Sequence, residues 1–220
     1  MLSKPLENVN SLIVISHFKG HFEAGYGGAI KNLGMGCVTK KTKSLIHSIS
    51  HPAISEKCTC CGACIKVCPD KAISIKNKKI NFDYNKCFGC GVCIGICPSK
   101  ALKPKKANLR ILLAEVAQTV LKKIKGKKLF INVLFDITER CDCFPIGSTE
   151  PGKIISPNIG IVISNNIVAV EKASLDLINQ ANGKKVFDEL NPAKINSEMQ
   201  IDSAVELGLG KKEYALEILE

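Results

Sequence analysis

The chain has 220 residues, 45% of them hydrophobic and 5% aromatic, with a formal net charge of +11. That length suits one core domain plus a small insertion, and with no unbroken apolar run of roughly 18 residues no membrane span is expected. The first residues lack a basic stretch followed by a long apolar one, so the twelve cysteines are read as reduced thiols and metal ligands, and the reducing cytoplasm is the expected compartment.

Leu12 to Ser16 is a short β-branched run that reads as a buried strand. It stops at His17-Phe-Lys-Gly-His21, and polar clusters at the ends of such strands are where α/β folds place functional groups. Next come five glycines, Gly25, Gly27, Gly28, Gly34 and Gly36. They fail the phosphate-loop pattern, and Ile30 breaks GxGxxG, so a packed turn leading into a short helix around Ala29 to Leu33 is expected.

Cysteines then take over. Cys58, Cys61, Cys64 and Cys68 precede Pro69; Cys87, Cys90, Cys93 and Cys97 precede Pro98. Both runs are C-x₂-C-x₂-C-x₃-C-P, the spacing that wraps two [4Fe–4S] clusters, with the fourth cysteine of each run serving the other cluster. Cys58, Cys61, Cys64 and Cys97 are therefore assigned to one cluster, and Cys87, Cys90, Cys93 and Cys68 to the second. A disulfide framework suits small secreted chains and zinc favours separated CxxC pairs; neither explains the doubled, proline-terminated pattern. Between the runs, Ile73, Ile75, Ile80 and Phe82 alternate about Asn77-Lys78 as a β-hairpin whose apolar face covers the sulfurs. The expected module spans residues 53–104, inserted between 1–52 and 105–220 of the core domain.

Beyond it, Ala107 to Ile124 is an amphipathic helix ending before Gly126, and Leu129 to Phe135 is a strand apolar enough to be central in a sheet. Ile159 to Ile163 is a strand, Ile167 to Gln180 a helix closed by Asn182-Gly183, and Ser197-Glu-Met-Gln200 a capping box opening a helix through Leu207. Tyr214 to Ile218 alternates as a last strand. Alternating strands and helices make the fold an α/β core domain with an inserted α+β ferredoxin-like 2[4Fe–4S] module.

Cys37, Cys60, Cys141 and Cys143 remain. Cys60, beside Cys61, is read as a bystander. Cys141 and Cys143 flank Asp142, too close in sequence to pair readily with each other. They are candidates for a third metal site with Cys37 and His47, or with His17 and His21. The bland alternative is reduced thiols and ordinary loop histidines.

These segments together, His17-Phe-Lys-Gly-His21, Ala24 to Cys37, the cysteine runs, Cys141-Asp-Cys143, Pro157 to Ile161 and Val168 to Leu177, resemble the domain-of-unknown-function 362 family of uncharacterised iron–sulfur-centre proteins. The resemblance spans nearly the whole chain and implies electron transfer through the inserted clusters. It also implies a longer α/β portion before Leu12, which this chain lacks, so a shortened member or a fragment is expected.

The leading expectation is two [4Fe–4S] clusters passing single electrons to or from a redox partner protein or a site in the core domain. An acidic partner would suit the ten basic residues that face only Glu115 between Lys100 and Lys128. The alternative is a redox enzyme with catalytic candidates His17, Lys19, His21, Cys141 and Cys143 and an additional metal or substrate site that includes Cys37. A basic nucleic-acid-binding protein with structural clusters is the third reading, and the lack of aromatic residues among the lysines weighs against it.

Overall fold

The structure is a computed structural model that describes residues 1–21, 23–87, 89–143, 152–190 and 196–219. After a short 3₁₀ turn at Lys4–Asn8, the chain runs through β1 (Leu12–His17), β2 (Lys19–His21), β3 (Gly25–Gly27), α1 (Ala29–Lys31) and α2 (Lys40–Ser50). The cysteine-rich segment supplies β4 (Pro52–Ile54), α3 (Ala63–Lys66), β5 (Ile73–Lys76), β6 (Lys79–Phe82), α4 (Val92–Ile96) and β7 (Leu102–Pro104). The chain then completes the fold with α5 (Leu109–Lys123), β8 (Lys128–Leu134), β9 (Gly160–Ser164), α6 (Ile167–Asn182), α7 (Val186–Leu190) and α8 (Met199–Glu206).

The main sheet has the order β1-β8-β9, with β1 parallel and β9 antiparallel to the central β8. Val14, Phe130, Leu134 and Val162 point from it into a core shared with Leu113, Ala117 and Val120 of α5, Val170 and Ile178 of α6, and Ile201 of α8. Asn108 starts α5 by accepting from Arg110 N, and Asn166 starts α6 by accepting from Val168 N and Ala169 N. These caps hold helix N–H groups that have no partner within their own helix.

The opposite sheet face is different. Ile13 (64% exposed), Ile15, Ile161 and Ile163 (58%) all present their side chains to solvent. The expected buried strand at Leu12 is thus an edge strand covered on one side only. Its continuous apolar run fits a two-sided environment, and among the described residues helices supply just one side. β8 does take the expected central place.

Two further expectations are corrected. Among the described residues Tyr214 to Ile218 forms no strand, and Tyr214 OH donates to Asp176 Oδ2 at 3.0 Å instead. The capping box at Ser197 does not form either. Ser197 is buried with its N–H on Asp188 Oδ1, and Asn196 Oδ1 accepts from Glu198 N at the start of α8.

The cysteine-rich segment leaves and rejoins the core through a two-stranded ribbon in which Pro52 faces Pro104, Ala53 faces Lys103 and Ile54 faces Leu102. Within it, β5 and β6 form the expected hairpin, pairing Ile73 with Phe82 and Ile75 with Ile80. Its turn residues Asn77 and Lys78 both have positive φ, the geometry of a two-residue hairpin turn that follows the strand twist.

Candidate functional site

The sheet ends carry the polar residues. β1 and β8 run parallel, so His17 and Phe135 emerge side by side, and His17 Nε2 meets the Phe135 carbonyl oxygen at 2.6 Å. The chain then folds back as the β2–β3 hairpin, which buries Lys19 and aims it at the loop after β8: Lys19 Nζ lies 2.8 Å from Asp142 Oδ2 and 2.9 Å from Oδ1. Its side chain is 9% exposed while that of Asp142 is 89% exposed. A buried ammonium therefore pins a turn that would otherwise project into water.

Asp142 separates Cys141 from Cys143, and these two are joined by a disulfide. This corrects the expectation that such near neighbours do not pair. Their Cα atoms lie 5.4 Å apart, within the span that a disulfide bridges. Lys31, at the end of α1, places Nζ 3.6 Å from Cys141 Sγ and 3.5 Å from Cys143 Sγ. A ring nitrogen of His21 and the two sulfurs fall within 4.8 Å of one another. Lys19, Lys31, Asp142 and the two cysteines, together with Ser16 and Asn32, line a cavity of about 240 Å³.

Burial sets the protonation states here. It lowers Lys31 to about 8, an effect that the nearby Asp142 carboxylate opposes. His21 is held well below the usual imidazole range, first by burial and then by Lys31 and His47. His21 Nδ1 also accepts from Glu23 N (3.2 Å) and Ala24 N (3.0 Å). The neutral ring must therefore carry its proton on Nε2.

Behind the cavity, the glycine segment is a packing device. A Cβ on Gly28 would collide with Glu171 Oε1, the atom that accepts Ala29 N at 2.6 Å and Asn132 Nδ2 at 3.2 Å. Asn132 also donates to Ser174 Oγ, and Gln200 Nε2 donates to the Ala24 and Tyr26 carbonyls. Burial raises the Glu171 carboxyl to about 7, against the hydrogen bonds it receives. The sequence signal for this network is a polar Asn in an otherwise apolar central strand. After the glycines the chain makes the expected short helix, α1 continuing as a π turn over Asn32–Gly36.

In the cysteine-rich segment the two runs fold alike. Gly62 (φ 78°) and Gly91 (φ 71°) precede α3 and α4, and Lys71 and Lys100, three residues after the fourth cysteine of each run, share positive φ. Cys64 and Cys93 are buried in one cluster with Ile73, Ile80 and Leu102, against which Cys58, Cys60, Cys68 and Cys97 pack. Burial pushes Cys90 up to about 12, with the charges of Glu23, Cys87 and Cys68 adding to the rise. Cys93 is raised by burial, then by Cys90, Cys87, Cys64 and Cys68. Cys64 is raised by burial, then by Cys58 and Cys61. Cys97 is lowered: burial acts upward, but hydrogen bonds from Ser99, Ala101 and Leu102 outweigh it. Ala72 N donates to Cys68 Sγ at 3.2 Å and Cys60 N to Cys58 Sγ at 3.4 Å. Cys60 Sγ donates to the Lys78 carbonyl.

Of the residues singled out in the sequence, His17, Lys19, Cys141 and Cys143 line one cavity, and a ring nitrogen of His21 lies close to its two sulfurs. His47, on α2, is an electrostatic neighbour of His21. Cys37 stands apart, on the margin of the core with its carbonyl accepting from Ser3 N and Oγ. Lys31 and Asp142 complete the cavity, and only the fold shows that Lys31 reaches the sulfurs. Among the described residues no helix is long and apolar enough to cross a membrane. The sequence matches the family model described as a domain of unknown function, DUF362, over residues 1–176. No curated protein matches it.

Proposed function

The chain belongs to the DUF362 family, and within that family we propose that it is a 2[4Fe–4S] protein moving single electrons to or from a redox partner protein or the strand-end cavity of its own core. Cys58, Cys61, Cys64 and Cys97 would hold one cluster; Cys87, Cys90, Cys93 and Cys68 would hold the other. The clusters supply one-electron chemistry, at a potential tuned by hydrogen bonds to sulfur and by burial.

One observation carries the reading. Cys68, from the first run, lies near enough to Cys87, Cys90 and Cys93 of the second to act on them electrostatically, as an exchange of fourth ligands would require. The donor set fits as well. Crowded thiols raise one another when only protons are available, and metal cations reverse that penalty by binding the deprotonated sulfurs. The second run also lies close to the cavity. A Cβ on Gly91 would lie 3.6 Å from Glu23 Cγ, and Glu23 N donates to His21 Nδ1.

Anaerobically purified protein is expected to contain about eight irons and eight sulfides per chain, with a cluster absorbance that bleaches on reduction. Cys68→Ser is expected to lose about half the iron while the core stays folded. Zinc in place of iron, or about four irons or fewer after full reconstitution, defeats the assignment.

A further inference from the structure

The Cys141–Cys143 bridge is a weak staple. It joins residues two apart in sequence, and the stabilisation a disulfide gives through the unfolded chain shrinks with the loop it closes. Its surroundings point to chemistry instead. Cys143 is exposed at the cavity mouth, whereas Cys141 is buried, so one sulfur is open to attack and the other is sheltered. Lys31 Nζ sits within 3.6 Å of both, and an adjacent ammonium stabilises the thiolate that is nucleophile and leaving group in exchange. His21 carries its free proton on Nε2, so its ring is a donor for a nearby thiolate rather than a lone pair for a metal. Cys143 N is 3.3 Å from Cys141 Sγ and adds a backbone donor. The Lys19–Asp142 ion pair ties the turn to the core through a contact that does not involve the bridge.

We propose that Cys141 and Cys143 form a reversible dithiol–disulfide couple that exchanges with an external dithiol. A thiolate of that dithiol attacks Cys143 Sγ, the S–S bond breaks, and Cys141 leaves as a thiolate beside Lys31. The second thiol of the external molecule then attacks its own sulfur in the mixed disulfide and releases Cys143. Two electrons and two protons pass to the pair, the external dithiol leaves as a disulfide, and nothing else is consumed. The reverse direction oxidises a dithiol. This inference does not depend on the cluster reading.

Trypsin sites at Arg140 and Lys153 isolate a peptide, residues 141–153, that contains just these two cysteines. The full chain is equilibrated anaerobically with dithiothreitol at graded ratios of reduced to oxidised form, alkylated, digested and weighed. The expected result is reversible conversion between a bridged and a doubly alkylated peptide, following a two-electron curve. For the reduced pair, Lys31→Met is expected to slow alkylation about tenfold near pH 7, as for a thiol raised by about one pKa unit, and Lys31→Arg to retain most of the rate. A peptide that stays bridged, or stays doubly alkylated, at every ratio overturns the proposal. So does a bound zinc or additional iron that shields both sulfurs from alkylation and is lost in Cys141→Ser. The equilibrium measurement needs no variant, so a Lys31 substitution that fails to fold does not blunt the test.

Discussion

Glu171 is the residue whose ionisation reaches furthest into the fold. It is fully buried, and burial raises its carboxyl from 4.5 to about 7. Between those values the folded state binds more protons than the unfolded state, so stability falls as pH rises through this window and levels off above it. The shift corresponds to about 3 kcal/mol. Glu171→Gln removes that dependence, so urea unfolding at pH 5 and pH 8 should show wild type losing about 2–3 kcal/mol more than the variant over this interval. An identical loss in both proteins would mean that Glu171 does not titrate there. Lys19 acts on a smaller scale. Lys19→Met leaves Asp142 solvated but frees the turn that carries both sulfurs, and the expected result is faster proteolysis after Arg140 with the core unchanged.

At the scale of elements, the two faces of one sheet make opposite predictions. Phe130 on the central strand is 1% exposed, and Phe130→Ala should cost about 3–5 kcal/mol. Ile163 on the neighbouring strand is 58% exposed, and Ile163→Thr should change stability by about 0.5 kcal/mol or less. Urea midpoints of the two variants check this; a large loss in Ile163→Thr would mean that the exposed face is covered in solution. The same contrast explains what the sequence could convey. Apolar periodicity located α5, α6, β8 and β9, because each has a face or run whose pattern follows from its own burial. It could not show that β1 lies at an edge, since an apolar run looks the same whether one face or two are covered. The hairpin was legible because its turn and alternation are local. The failed strand at Tyr214 shows the converse: alternation is local, but a strand requires a neighbour. At the site, His21, Cys141 and Cys143 could be named as candidates from residue type and strand ends. Lys31 and Glu171 could not, because their roles depend on contacts made 110 and 142 residues apart in the chain.

At the scale of the whole molecule, the core and the cysteine-rich segment rest on different forces. The core joins side chains from three long helices and a sheet, whereas the segment's own apolar cluster is small and half-built of cysteines. A unit of that size would depend on the proposed clusters for its order. Stripping the metal with a chelator should therefore open sites from Lys57 to Lys100 to trypsin while a core of residues 1–52 and 105–219 resists longer. An unchanged digestion pattern would show that the segment stands without metal.

The ribbon joining the two parts has a mechanical consequence. Pro52 and Pro104 face each other, while on the core side Lys105 N donates to the His51 carbonyl at 2.7 Å. The two prolines thus occupy a rung where no N–H is required, so the ladder continues past them unbroken. Each ring also fixes its own φ, and the same narrow joint is stiff in both strands. His51 stacks on Tyr84, whose hydroxyl donates to the Pro52 carbonyl, bracing it from the side. The cysteine-rich segment is thereby cantilevered from the core, and the spacing between its second run and Glu23 is set by a rigid bracket. Replacing both prolines with glycine would soften that bracket, and faster hydrogen exchange at Lys105 N would register it.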